Sequence, residues 1–175
     1  GTWYWNRYPG ARCDVASHEY SFSFSDELQQ EWQWSEKFAA QAEILQYLEH
    51  VAERFDLNKN IQLNTTVNSA VYDEVEKHWS IETQDGQKFS AQYFIPATGT
   101  LSSASIPSIK GQDTYKGDVY VTGKWPAEGV DLKGKKVGII GTGATAIQVI
   151  PVVAEECEHL TVFQRTANYT SPLHN

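Results

Sequence analysis

The residues best suited to bind a charged ligand form a glycine turn late in the chain. The stretch VGIIGTGATAIQ contains Gly141, Gly143 and Ala146 in the spacing G-x-G-x-x-A. In a dinucleotide-binding turn, the first glycine permits a tight bend and the second lets the backbone approach a pyrophosphate. The third small residue allows the following helix to pack closely on the strand, and the N-terminus of that helix attracts the phosphates. The spacing therefore predicts a dinucleotide site.

The elements on either side of this turn are the ones that such a site requires. A strand, KVGII, comes directly before the glycines, and a helix is predicted over residues 144–156. A second strand, LTVFQ, follows the helix and completes a β-α-β unit. A glycine motif alone is weak, but a strand before it and a helix after it turn the motif into a structural prediction.

The end of the second strand indicates which nucleotide is bound. Sites for NAD usually place an acidic residue there, about 20 residues after the glycines, to bind the ribose 2′-hydroxyl. Here Gln164 stands near that position, followed by Arg165 and Thr166. A guanidinium can bind a 2′-phosphate through two hydrogen bonds, and the threonine hydroxyl can add another. The sequence favours NADP(H); the alternative is an ordinary surface arginine at a strand end.

The middle of the chain predicts one helix and several antiparallel strands. The helix is amphipathic and is expected to pack on a sheet, and its apolar stripe consists of Ile44, Leu45, Leu48, Val51, Ala52 and Phe55. Alternating segments follow over residues 61–75 and 77–84, and Asp85-Gly86 predicts a hairpin turn into residues 87–95. The run YFIPATG predicts a short buried strand, although Pro96 is unusual in one.

The first 25 residues are rich in aromatic side chains and lack regular periodicity. The triplet Tyr8-Pro9-Gly10 predicts a turn. Aromatic side chains bury large areas wherever they lie, so this segment is either part of a core or the wall of a ligand site.

Composition excludes several classes of protein. The 175 residues include 22 Asp and Glu against 14 Lys and Arg, which gives a formal net charge of -8. This charge argues against a nucleic acid or an anionic membrane as the main partner. The chain has no apolar run long enough to span a bilayer and no visible signal peptide. Two cysteines, Cys13 and Cys157, cannot form a disulfide framework, so we expect a reducing, cytoplasmic setting. Because there is no Met and both ends are abrupt, we also expect the chain to be an internal piece of a longer one.

Taken together, these segments resemble class B flavoprotein monooxygenases, and most closely the Baeyer–Villiger monooxygenases. The matching stretches are GTWYWNRYPGARCDVASHEYSFSF, WQWSEKFAAQAEILQYL, ATGTLS, YKGDVYVTGKWP, GTGATAIQ and VFQRT. The resemblance implies an α/β fold made of parts of two nested Rossmann-like domains, for FAD and for NADP, with an antiparallel β-hairpin insert. It implies that residues 1–102 are the later part of the FAD domain, 103–133 a linker and 134–175 the first part of the NADP domain.

The resemblance also implies roles for residues that match the family motifs. It implies flavin contact for Thr2, Trp3, Tyr4, Trp5, Tyr20 and Val67. It implies that Asp14 is the catalytic carboxylate beside the flavin ring, with Arg12 and Cys13 near the nicotinamide. It implies NADP contact for Thr142, Gly143, Ala144, Thr145, Ala146, Ile147 and Gln148, and 2′-phosphate contact for Arg165 and Thr166.

Two departures from the family pattern affect these expectations. The family fingerprint F-x-G-x-x-x-H-x-x-x-W-P begins here at Tyr115 and has Val121 in place of the histidine. An imidazole can hydrogen-bond and change charge near neutral pH, whereas an isopropyl group can do neither. Ala42 stands where the family commonly has Pro at a helix start, a mild loss of preorganisation. The first departure puts the linker's part in catalysis in doubt.

The activity implied is insertion of one oxygen atom of O₂ next to a ketone carbonyl, giving an ester or lactone, with NADPH as the reductant of FAD. A small-molecule ketone and O₂ would be the partners. Two alternatives stay open: a nucleotide-binding fragment without turnover, and a relative that hydroxylates nitrogen or sulfur. A disulfide reductase is disfavoured, because the chain has no C-x-x-C pair.

Overall fold

The computed structural model describes residues 1–171 and 174–175, which divide into two compact units. The first consists of Gly1–Val51 and Thr100–Asn175, and the second of Ala52–Gly99. The first unit contains three short helices, a longer amphipathic helix and a β-α-β motif. The second is built around one antiparallel sheet. In the part of the chain that is described, no helix is both long and apolar enough to cross a membrane.

Short helices organise the aromatic N-terminal segment. Helix α1 spans Thr2–Trp5, α2 spans Ser17–Tyr20 and α3 spans Asp26–Glu31. Helix α3 begins with an N-cap, because the Ser25 hydroxyl accepts a hydrogen bond from the Leu28 amide at 3.2 Å. The sequence predicts no helix before residue 25, so the first two helices are a finding of the structure.

Helix α4 spans Gln41–Arg54 and confirms the predicted amphipathic helix. Ile44 and Val51 of its stripe are buried, and so is Tyr47, which the stripe did not include. The Tyr47 hydroxyl accepts a hydrogen bond from the Phe22 amide at 2.9 Å, and this bond compensates for burying a polar group. This helix was expected to pack on a sheet, but Ile44 packs elsewhere. Its side chain lies in a cluster with Cys13 and Ala39, against the rings of Trp3 and Trp34.

The second unit is a three-stranded antiparallel meander. Strand β1 spans Val67–Asp73, β2 spans His78–Thr83 and β3 spans Lys88–Ala91, in the order β1-β2-β3. The hairpin at Asp85-Gly86 joins β2 to β3, with Gly86 at φ +85°. The strand predicted over YFIPA does not form, since the ladder ends at Ala91. Pro96, which has no N–H to donate, lies in that stretch.

The β1–β2 turn allows a test by pH. The Asp73 carboxylate accepts hydrogen bonds from the amides of Val75 and Glu76 at 2.8 and 2.9 Å, and these bonds hold the pKa of Asp73 below its ordinary value. Because the folded pKa is lowered, the stabilising contribution is present above about pH 4, the unfolded value, and is lost as the pH falls through the folded pKa. Asp73→Asn keeps an acceptor oxygen but cannot titrate. We therefore expect urea titrations to show wild type losing more stability than Asp73→Asn between pH 6 and about pH 3; parallel losses would contradict this account.

The β-α-β motif has the predicted order and nearly the predicted bounds. Strand β4 spans Lys136–Ile140, helix α5 spans Ala144–Glu156 and strand β5 spans His159–Phe163. The two strands are parallel, with Ile139 opposite Val162. Val149 and Val153 of the helix are buried in a cluster with Leu132, to which Val137, Ile139 and Leu160 are packed. Burial of each valine stabilises the fold by about 1.5–3 kcal/mol. The two sheets, one parallel and one antiparallel, confirm the predicted α/β class with an antiparallel insert.

Candidate functional site

The glycine turn between β4 and α5 is open to solvent on its outer side. Gly141 has φ +107°, in the left-handed region that favours glycine. A Cβ built on Gly141 or Gly143 would meet no other atom of the described chain within 4 Å. The first helical hydrogen bond runs from the Ile147 amide to the Gly143 carbonyl at 3.1 Å, so the amides that precede Ile147 have no acceptor one helical turn back. The start of this 13-residue helix thus has both the space for a phosphate and the unpaired amides that can donate hydrogen bonds to it.

The end of β5 and the residues that follow it brace this turn through hydrogen bonds. The Gly141 amide donates to the Phe163 carbonyl at 2.9 Å. The Thr142 hydroxyl accepts from the Gln164 side chain at 3.0 Å and from the Asn168 side chain at 3.3 Å, and Asn168 also donates to the Thr142 carbonyl. Gln164, which stands where an NAD-type site has its acid, is therefore part of the turn's support.

Arg165 and Thr166 follow in an exposed bend. In residues 1–171 and 174–175, no carboxylate forms an ion pair with the Arg165 guanidinium. A guanidinium that is exposed and unpaired keeps its full hydrogen-bonding capacity for an anion. The arginine is thus not used as a surface salt bridge.

The residues predicted along the turn have different environments. Gly143, Ala144 and Ile147 are exposed, whereas Thr145 and Ala146 are half-buried. The Gln148 carboxamide is directed to the N-terminal segment: its oxygen accepts from the Tyr8 hydroxyl at 2.9 Å, and its nitrogen donates to the Arg12 carbonyl at 3.0 Å.

Some of the residues predicted to contact flavin are in contact with one another. The Trp3 indole N–H donates to the Tyr20 hydroxyl at 2.9 Å, with the two rings edge to face at 5.8 Å. Tyr4 and Trp5 pack edge to face at 4.9 Å, and both are at least half exposed. Thr2 is exposed beside them. Val67 lies in the second unit at the start of β1, about half exposed. The structure thus joins Trp3 to Tyr20, and the Arg7 guanidinium lies over the Tyr4 ring at 4.9 Å from its centroid.

The side chains of residues 12–14 lie in three different environments. The Arg12 guanidinium forms a 2.9 Å ion pair with Glu36 and donates to the Phe38 carbonyl at 3.3 Å. Cys13 is buried, and burial raises the pKa of its thiol, with the Asp14 carboxylate adding to the effect. Asp14 is exposed.

Sequence reasoning missed the residues that support the site. These are Tyr8, Glu36, Gln164 and Asn168. Their only signal was local: Tyr8 lies in the predicted Tyr8-Pro9-Gly10 turn, and Gln164 was noted only for not being an acid. Their partners are far away in sequence, 140 residues for Tyr8 and Gln148.

A parallel β-α-β motif with an open glycine turn at the start of its helix defines a nucleotide-binding protein of the Rossmann type. The chain belongs to the family described as pyridine nucleotide-disulphide oxidoreductase, which matches residues 15–173.

Comparison with individual proteins confirms the resemblance to Baeyer–Villiger monooxygenases. The chain is 46% identical to a phenazine N-monooxygenase of Lysobacter antibioticus, in an alignment that covers 98% of this chain and 32% of that protein. It is also 46% identical to a cyclohexanone 1,2-monooxygenase of an Acinetobacter species, over 100% of this chain and 32% of the relative.

Solved structures agree. A steroid monooxygenase bound to NADP has a TM-score of 0.93 and 56% identity, over 98% of this chain and 33% of that one. A structure named OTEMO, in complex with FAD and NADP, has a TM-score of 0.90 and 43% identity, over 99% of this chain and 33% of that one. The chain thus spans about a third of the length of the relatives that it matches.

Proposed function

We propose that the protein is an FAD- and NADPH-dependent monooxygenase that inserts one oxygen atom of O₂ next to a ketone carbonyl. The single observation that carries the proposal is the braced, open glycine turn followed by an unpaired Arg165, in a chain similar over its whole length to such enzymes. The similarity to structures that hold FAD and NADP supports both cofactors.

The residues present fit a nucleotide diphosphate with an additional phosphate. We propose that the amides of residues 143–146 bind the diphosphate, because they lie at the open end of α5. We propose that Arg165 binds the 2′-phosphate and that Thr166 adds a hydroxyl. An acidic residue at the end of β5 would repel that phosphate, and Gln164 stands there instead.

The N-terminal segment fits a planar, mostly apolar ring system. We propose that Trp3 and Tyr20, fixed to each other by a hydrogen bond, form part of the flavin site with the exposed rings of Tyr4 and Trp5. We propose that Asp14 supplies negative charge beside the flavin ring, and that the Glu36 ion pair fixes Arg12 near it. When bound, the two cofactors supply hydride transfer and activation of oxygen, and the protein supplies position, charge and exclusion of water.

The test uses the full-length protein purified from cells. We expect a yellow protein with a flavin spectrum, NADPH oxidation that accelerates when cyclohexanone is added, and a lactone detected by mass spectrometry with one atom of ¹⁸O from ¹⁸O₂. A flavin-loaded protein that gives neither an ester nor a lactone from any of a panel of linear and cyclic ketones would contradict the proposal.

A second candidate function is N-oxygenation of an aromatic heterocycle. It is favoured by the 46% identity to a phenazine N-monooxygenase. Giving the same protein phenazine beside cyclohexanone and comparing the two products separates the candidates. This chain offers no redox pair for disulfide reduction, because Cys13 and Cys157 are not spaced as a C-x-x-C motif.

Val121 offers a further test of the linker. It is half-buried and directly precedes the 3₁₀ helix Thr122–Lys124, in a segment where the rings of Tyr120 and Trp125 pack against each other. Val121→His restores a group that can hydrogen-bond near neutral pH, and one such bond is worth about 1 kcal/mol, or roughly fivefold. We therefore expect a higher ratio of lactone formed to NADPH consumed. The control Val121→Leu, apolar and larger, should not raise this ratio, and no gain with histidine would contradict the prediction.

A further inference from the structure

We propose that Gln148 is a positioning residue, one that fixes the glycine turn relative to the loop carrying Asp14 and does not itself bind NADPH. The inference rests on the proposed function, since it assigns a role within that site. The resemblance to the family places Gln148 among the residues expected to touch NADP, and the structure gives its side chain a different set of partners.

The Gln148 carboxamide is occupied by residues 8–12. Its oxygen accepts two hydrogen bonds, from the Tyr8 hydroxyl at 2.9 Å and from the Arg12 amide at 3.3 Å. Its nitrogen donates to the Arg12 carbonyl at 3.0 Å. Both lone pairs of the oxygen are therefore used, and the side chain pairs with the Arg12 backbone as a neighbouring strand would.

The opposite edge of the same backbone segment is also paired. The Cys13 amide donates to the Ala39 carbonyl at 3.0 Å, and the Gln41 amide donates to the Ala11 carbonyl at 2.8 Å. Residues 11–13 are thus held between helix α5 on one side and the start of α4 on the other. Asp14 is the next residue along, so its position depends on both sets of bonds.

Close packing adds to this connection. Gly10, at φ +74°, lies so near α5 that a Cβ there would come within 2.2 Å of the Gln148 carbonyl oxygen and 3.1 Å of Val152. Backbone contact at Gly10 and side-chain bonds at Arg12 therefore hold one loop against one helix. That helix begins directly after the glycine turn, at Ala144, four residues before Gln148.

The consequence concerns hydride transfer and not binding. The reaction requires the nicotinamide and the flavin to meet at a fixed distance, and a misplacement of about 1 Å can lower a rate about 100-fold. Gln148→Ala removes the side-chain hydrogen bonds between the loop and the helix while leaving the backbone contact at Gly10, the turn's amides and Arg165 in place. We expect the limiting rate of flavin reduction to fall about tenfold and the Kd for NADPH to change less than about twofold.

The experiment follows flavin absorbance after anaerobic rapid mixing of the full-length, FAD-loaded protein with NADPH, which gives both the limiting rate and the Kd. The variants are Gln148→Ala, Tyr8→Phe, the two combined, and Arg165→Ala as the reference for loss of a proposed NADPH ligand. Tyr8→Phe removes one bond to the carboxamide at a residue outside the nucleotide site, and we expect a smaller fall in the same direction. The double variant should be no slower than Gln148→Ala, because both changes break one connection. Glu155→Gln, exposed at the far end of α5, is the control and should match wild type.

Each outcome decides the inference. A Gln148→Ala variant whose Kd for NADPH rises as much as that of Arg165→Ala would make Gln148 a ligand and overturn it. A Tyr8→Phe variant as fast as wild type would also overturn it, and this variant decides alone if Gln148→Ala does not retain flavin. If NADPH does not reduce the flavin of the wild-type protein, the proposed function and the inference are overturned together. If the wild-type flavin is reduced and Tyr8→Phe leaves the rate of reduction unchanged, only the inference is overturned.

Discussion

Replacing Arg165 by Ala should raise the KM for NADPH about 10- to 100-fold and change the KM for NADH less than about twofold. A hydrogen bond to a charged group contributes about 1.5–3 kcal/mol, which corresponds to this range. The two coenzymes differ by the 2′-phosphate alone, so a residue that binds this group affects only one of them. Arg165 is exposed and unpaired among the described residues, and its removal leaves no buried carboxylate behind. Initial rates at varied coenzyme concentration measure the effect.

Two variants serve as controls for this prediction. Arg165→Lys keeps the charge but loses the planar pair of donors, so the KM for NADPH should fall between those of wild type and Arg165→Ala. Lys136→Ala removes a cation at the other end of β4 from the glycine turn and should have no effect on either coenzyme. An equal rise for NADPH and NADH would show that Arg165 does not recognise the 2′-phosphate.

The parts of the fold that the sequence predicted are those whose signals are local. Strand β4, helix α5 and strand β5 follow one another within 28 residues, and their apolar periodicity and glycines lie inside that window. Helices α1 and α2 have four residues each, too short to be stable alone, and depend on partners elsewhere in the chain. Tyr47 shows the same limit within a predicted helix: its burial depends on the Phe22 amide, which the helical pattern does not contain.

The position of the glycine turn was predictable from the sequence, but the directions of the side chains around it were not. The motif spacing correctly located a turn that is open at Gly141 and Gly143, because backbone geometry follows from residue type there. The family resemblance grouped Gln148 with the nucleotide ligands, and its partners at Tyr8 and Arg12 reveal where the carboxamide is directed. Those partners lie 140 and 136 residues away in sequence, and one sequence contains no signal that joins them.

Gly10→Ala should be the most destabilising single substitution of those considered, by about 2–5 kcal/mol. An alanine in the left-handed region costs about 1–2 kcal/mol. The added methyl group would lie 2.2 Å from the Gln148 carbonyl oxygen, a backbone atom that cannot rotate away, and such overpacking costs about 1–3 kcal/mol more. Chemical denaturation of the full-length protein, with the slope held common to all variants, measures the difference.

The two costs can be separated within the same unit. Gly129 also has a positive φ, +82°, but a Cβ there would meet no described atom within 4 Å. Gly129→Ala therefore carries the backbone cost alone, and Gly10→Ala should exceed it by the cost of displacing α5. If the two variants lose equal stability, the loop and the helix are not in close contact at Gly10. A larger loss at Gly10, accompanied by slower flavin reduction, would mean that the contact which stabilises the fold also sets the geometry of the site.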